Sequence, residues 1–165
     1  QKLTPMPIDL SKINGLEIGI DEVERLTTYR MAYLTEMQGE RSEEYQIRLK
    51  NDLNQYFMEA IAENRCFAFL AQQGDDILSF CAMILKKIPG DFNQSMYLEG
   101  DILNMYTVPF ARRKGISALI LQELLNEARN RGISKVSLHT SKDGEKLYRK
   151  FGFCEPVYPV LELCL

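Results

Sequence analysis

After Asp21, Val23, Leu26, Arg30, Tyr33, Leu34 and Met37 recur at helical spacing. Asp21 can cap a first turn and Glu24 follows three residues on, so the pattern predicts an amphipathic helix ended by Gly39. A second helix starts where Ser42 can cap it and carries Tyr45, Leu49, Leu53, Phe57, Ala60 and Ile61 to about Glu63. The texture then changes. Two short apolar runs, Cys66 to Ala71 and Ile77 to Leu85, flank a polar Gly74-centred turn and predict a β-hairpin. A third strand runs from about Met96 to Val108, where Pro109 stops it because proline cannot donate to a central ladder. The next helix has the clearest stripe, Ile116, Leu119, Ile120, Leu124, Leu125 and Ala128, with Gly132 placed to terminate it. Lys135 to Thr140 then predicts a strand, Asp143 to Phe151 a short helix, and Phe153 to Leu163 a proline-interrupted final strand. An antiparallel hairpin followed by a strand-helix-strand crossover predicts a mixed sheet, α/β in the layered sense or α+β by stricter definition.

At 165 residues the chain fits one domain, 1–165, with no internal repeat or linker. No apolar run approaches the ~20 residues that span a bilayer, so no membrane partner is expected. A net charge of −3 argues against a nucleic-acid partner, which would favour a basic excess. Cys66, Cys81, Cys154 and Cys164 form no CxxC pair and are read as buried reduced thiols in a cytoplasmic protein. With His139 the only histidine, zinc-ligand spacings are absent and no metal is expected. Gln1 is not an initiator residue and suggests an upstream segment, while the opening to Pro7 has no apolar signal-peptide core.

Arg112, Arg113 and Lys114 stand just ahead of a helix start, where about +0.5 of an elementary charge already resides. That crowding makes sense if an anion sits there. Gly115 would let backbone approach a phosphate, Ser117 adds a hydroxyl, and the consecutive amides from Arg113 through Ile116 to Ala118 could form the cradle. A solvated basic turn is the plain alternative. The Gly-Lys-Ser/Thr order of a Walker-type loop is missing, and a single glycine does not make a dinucleotide fingerprint.

Arg112, Gly115 and Ser117 resemble the Arg/Gln-x-x-Gly-x-Gly/Ala pyrophosphate motif of the GNAT superfamily, with serine departing at the last position. Asn104-Met105-Tyr106-Thr107-Val108-Pro109 is similar to that family's central strand, and Leu147-Tyr148-Arg149-Lys150-Phe151-Gly152-Phe153 to its C-terminal signature. The resemblance implies a mixed, mostly antiparallel sheet flanked by helices, and an N-acetyltransferase with acetyl-CoA as cosubstrate. It further implies a bulge near Met105, Tyr106 and Thr107 and a splay from the strand at Val136 to Thr140, with pantetheine in the gap. The Thr107 amide would then support the oxyanion. Ser141 takes the place of a cofactor-binding asparagine, and Tyr148 that of the acid beside the leaving sulfur. For the base, Glu99 is the first candidate, with Asp101, His139 and water as alternatives. The acceptor, a small-molecule or peptide amine, is left open, as is a homodimer. The competing reading is a non-catalytic acyl-CoA-binding regulatory module of the same fold.

Overall fold

The computed structural model describes residues 6–165, apart from the side chain of Asn104; the opening residues 1–5 of the sequence lie outside it. Five strands form one sheet in sequence order: β1 (Asn14–Glu17), β2 (Cys66–Gln73), β3 (Asp76–Pro89), β4 (Met96–Thr107) and β5 (Lys135–Ser137). Four α-helices accompany them: α1 (Val23–Gln38), α2 (Glu43–Ala62), α3 (Ile116–Asn130) and α4 (Lys142–Lys150). The first three strand pairings are antiparallel, and β4 with β5 is parallel, as a crossover through α3 requires. The expected mixed sheet is therefore present.

The helix boundaries follow local chemistry. Ser42 Oγ accepts from the Tyr45 amide at 3.3 Å and opens α2. Gly39, at φ 80°, donates to Thr35 O and closes α1, whereas Asp21 falls in a 3-10 turn ahead of that helix rather than at its cap. Gly132, at φ 75°, ends α3 by donating to Arg129 O at 3.0 Å.

Strand alternation divides the core between the two sheet faces. Phe67, Phe69, Cys81 and Met83 pack with Ile116, Ile120, Leu121 and Leu124 of α3. Ala68, Leu70, Phe80 and Tyr106 pack with Val23 and Leu26 of α1 and Phe57 of α2. Because both faces are covered, β2 reads as a continuous apolar run rather than an alternating one. Each fully buried leucine or isoleucine of α3 contributes about 1.5–3 kcal/mol, so truncating Leu124 to alanine would cost about 2–5 kcal/mol.

Besides the placement of Asp21, the observed structure differs from the sequence reading in four places. β1 was not expected, since Asn14-Gly15-Leu16-Glu17 offers one large apolar residue and edge strands need no more. β5 stops at Ser137, not Thr140, because β4 leaves it there. The expected final strand is absent, and 153–165 makes no strand pairing among the described residues. Cys66 and Cys81 are buried as expected, but Cys154 and Cys164 are exposed because the segment carrying them joins no core.

Candidate active site

The pairing of β3 with β4 slips by one residue opposite Cys81: Phe80 faces Tyr106, but Ala82 faces Leu103. β4 thus carries an extra residue, a bulge spanning Asn104 and Met105. On its other side β4 pairs with β5 only from Glu99 to Asp101, and beyond Asp101 the two parallel strands part. Between them lies a cleft of about 920 Å³. The Val108 amide donates to Leu78 O at 2.9 Å, so by alternation the neighbouring Thr107 turns its own N–H and C=O away from β3, towards the parted side.

The start of α3 lies beside this gap. Arg113 (φ 58°) and Gly115 (φ 83°) are both left-handed, and Gly115 caps the helix without any side-chain hydrogen bond. Amides at Ile116, Ser117 and Ala118 lie in the first helical turn, where no intrahelical acceptor is available. Positive helix-end potential and unpartnered donors make this a fitting seat for phosphate oxygens. Arg113 lines the cleft, Lys114 and Gly115 are exposed at the turn, and Ile116 is buried with its side chain in the core.

Arg112 does something the sequence did not suggest. Its Nε donates to Thr107 O at 2.8 Å, and its Nη2 donates to Glu36 Oε2 at 2.7 Å on α1. Its guanidinium also lies 5.6 Å from the Tyr106 ring centroid. The Arg112 hydrogen bond holds the Glu36 carboxyl below the usual carboxylate range. Burial, and then the Glu36 charge, push the Tyr106 phenol up.

Ser117 Oγ is also committed. It lies 2.9 Å from Thr107 Oγ1, which lies 2.9 Å from Ser79 Oγ, which donates to Tyr106 O at 2.8 Å. A hydroxyl has one proton, so the chain runs one way: Ser117 donates to Thr107, Thr107 to Ser79, Ser79 to the backbone. Ser117 therefore has no proton left for a phosphate, although it still accepts.

Tyr148 of α4 lines the cleft, half-buried, with its ring edge-on to Phe153 at 5.7 Å. Burial pushes its phenol up to about 12. Ser141 lines the cleft too, but its hydroxyl accepts from the Gly144 amide at 3.2 Å as the cap of α4. Glu99 is placed elsewhere: it forms an ion pair with Lys135 at 3.1 Å, in the part of the sheet where β4 and β5 are still joined, and does not line the cleft. Asp101 is paired with Lys86 at 3.0 Å. His139 lines the cleft but is 97% exposed. Met105, Tyr106 and Thr107 line it as expected. Tyr33, Glu36 and Met37 of α1 complete the wall and were missed; Tyr33 and Met37 read only as helix stripe, and an isolated Glu36 gives no signal.

Residues 26–153 match the family model described as the Acetyltransferase (GNAT) family, more than half of the chain. The chain belongs to the GNAT family. Membership carries acetyl transfer with acetyl-CoA as cosubstrate, and the parted strands beside a free helix start are consistent with that ligand. Among solved structures, a predicted acetyltransferase with acetyl-CoA from Clostridium acetobutylicum is similar at 29% identity, with a TM-score of 0.78 over 92% of this chain and 96% of that one. A GCN5-related N-acetyltransferase from Ralstonia eutropha JMP134 shares the fold at 21% identity, with a TM-score of 0.72 over 92% and 98% of the two chains. An uncharacterized N-acetyltransferase of Bacillus subtilis (strain 168), YsnE, is 39% identical over 64 residues, which span 34% of this chain and 42% of that relative. Among the described residues, no helix is long and apolar enough to cross a membrane, and no cluster of His, Cys, Asp and Glu could hold a metal ion.

Proposed function

We propose that this chain is a single catalytic domain that transfers the acetyl group of acetyl-CoA directly to an amine, with the cosubstrate held between β4 and β5. The observation that carries this reading is the coincidence of three features in one cleft: the β4 bulge, the parting of β4 from β5, and the uncapped start of α3. Bound acetyl-CoA would supply a thioester as the acyl donor. The amides from Arg113 to Ala118 and the Arg113 side chain hold its phosphates. The Thr107 N–H, turned to the open side, polarises the thioester carbonyl, and the Met105 and Tyr106 backbone lies along pantetheine.

Tyr148 donates a hydrogen bond to the departing sulfur. With its phenol at about 12 and a thiol near 8.5, full proton transfer would be uphill by about 5 kcal/mol, so stabilisation of the thiolate is the role it can fill. Glu36 sits in the wall reached by an incoming amine and orients it as the ammonium; a carboxylate held below its usual range is a poor base, so the proton leaves through water. Glu99, tied to Lys135 outside the cleft, is not assigned the base role.

Calorimetric titration with acetyl-CoA tests the placement. Binding should weaken with added salt, because cations and helix-start amides meet phosphates. Gly115→Glu should abolish it in a folded protein, since a β-carbon strains this left-handed turn and a negative charge is added beside the phosphate seat. A folded Gly115→Glu chain with unchanged affinity would remove the cofactor from this cleft.

A further inference from the structure

On its α1 side the cleft wall carries two charges of opposite sign. Arg112 and Glu36 meet there at 2.7 Å, with side chains 41% and 39% exposed, so both remain open to a ligand. The pair is joined by a single bond. Arg112 uses one N–H of Nε on Thr107 O and one of Nη2 on Glu36 Oε2, and Nη1 keeps both of its protons. Glu36 receives the arginine through Oε2, which leaves lone pairs of Oε1 for another donor. The Tyr106 phenol stands beside both charges.

A wall with one carboxylate and one guanidinium selects by charge. A polyamine needs several carboxylates, and here the carboxylate offered already faces an arginine. A plain alkyl amine would satisfy Glu36 but set its ammonium against the spare donors of Arg112, cation to cation. A ligand that carries both signs side by side satisfies both groups. In an α-amino acid a single carbon separates ammonium from carboxylate, a spacing that suits two charges in hydrogen-bond contact. Guanidinium is well matched to the carboxylate because its N–H groups are coplanar, fixed and always charged.

The rest of that wall is apolar. Tyr33 stands edge-on to Tyr106 with ring centroids 6.1 Å apart, and Met37, one position past Glu36, is 59% exposed to the cleft although large and apolar. An apolar acceptor side chain would cover both. Arg112 also sets the register of the acceptor. Its Nε holds the carbonyl of Thr107, the residue whose N–H is assigned to the thioester, so a carboxylate docked on Arg112 lies one residue of backbone from the reacting carbonyl.

We propose that the acceptor is a free α-amino acid with an apolar side chain, its carboxylate on Arg112 Nη1 and its ammonium on Glu36 Oε1, a proposal that rests on acetyl transfer in this cleft. One proton leaves the ammonium to water, and the neutral nitrogen attacks the thioester carbon. A C–N bond forms, the C–S bond breaks, and sulfur takes the electron pair as the CoA thiolate. The second proton lost by nitrogen passes through water to that thiolate. The products are an N-acetyl amino acid and CoA.

L-Leucine, L-methionine and L-phenylalanine, each beside its own amide and its decarboxylated amine, test the carboxylate, with spermidine as the polycation. Calorimetry on the CoA-saturated chain should find at least one of these amino acids bound about ten- to hundredfold more tightly than its amide and its decarboxylated amine, the size of a charge-assisted contact. Acetylation rates, compared at equal concentrations of neutral amine, should rank the same way. Arg112→Gln should bring that ratio close to one, whereas a structural role for Arg112 alone would slow all acceptors alike. A chain that binds CoA but none of the amino acids, or that favours an amide, a decarboxylated amine or spermidine, overturns the amino-acid acceptor and leaves the cofactor site standing. A folded Arg112→Gln chain with the full preference does the same. A chain that binds no CoA removes the cofactor site and this proposal together.

Discussion

Arg112 Nη2 donates to Glu36 Oε2 at 2.7 Å and ties the middle of the sequence to α1 across the mouth of the cleft. Both side chains are about 40% exposed, so the pair is worth at most about 1 kcal/mol. Glu36→Gln should therefore lower unfolding free energy by no more than that in urea titration. The Glu36 pKa is depressed, so its contribution is present above the unfolded value and is lost as pH falls through the folded one. The small difference between parent and variant should accordingly vanish in acid. If Glu36 orients the amine, the variant should raise KM for an accepted amine about tenfold and leave acetyl-CoA affinity within about twofold. An unchanged KM would confine the pair to a structural role.

The one-way hydroxyl chain ranks two alanine substitutions. Ser117→Ala removes the first donor and leaves Thr107 bonded to Ser79, at a cost of about 0.5–1.5 kcal/mol. Ser79→Ala strands the buried Thr107 hydroxyl and takes a bond from Tyr106 O, at a cost of about 1–3 kcal/mol. Equilibrium denaturation should show the larger loss at Ser79; the reverse order would mean that the chain runs the other way.

Tyr148→Phe should preserve stability and acetyl-CoA affinity and reduce kcat about a hundredfold, measured under single-turnover conditions. Because burial pushes this phenol up to about 12, it stays protonated throughout the working range. The parent's rate should show no descending limb from Tyr148 below about pH 11. Rates within twofold of the parent would return Tyr148 to packing against Phe153.

Both terminal nitrogens of Arg149 donate to the Glu155 carboxylate, a clamp that depresses it to about 2. Its linkage is present above the ordinary carboxylate value and is lost only as pH falls through about 2. A carboxyl-carbon NMR titration should therefore find the Glu155 midpoint well below those of the other glutamates, and Arg149→Gln should return it to the ordinary range. A normal midpoint in the parent would dissolve the clamp.

The sequence made the end of β4 and the start of α3 beside the cleft legible because backbone needs produced them: a proline to stop β4, a glycine able to be left-handed, and a long apolar stripe to seat α3. The α1 wall was not legible. Glu36 lies 76 positions from Arg112, and a lone carboxylate on a helix looks the same whether it meets solvent or an arginine. Glu99 drew attention because it precedes the cofactor strand, yet local order could not reveal that Lys135 stands opposite it on a strand contributed from beyond α3. The final strand expected over Phe153 to Leu163 does not form, because a run of apolar residues names no partner edge, and 153–165 pairs with no strand among the described residues.

Arg113 and Gly115 are both left-handed, flanking Lys114 in the turn that opens α3. For arginine that handedness costs about 1–2 kcal/mol, and Gly115 escapes it only by lacking a β-carbon. The concavity facing the cleft is thus fixed by chirality rather than by chemistry of the side chains. At Arg113 a glycine or asparagine would relieve that backbone cost while giving up the cation, whereas a valine would add to it. On the proposed reading, the seat for the anion is first a shape of main chain, held by two left-handed residues, to which the Arg113 cation is added.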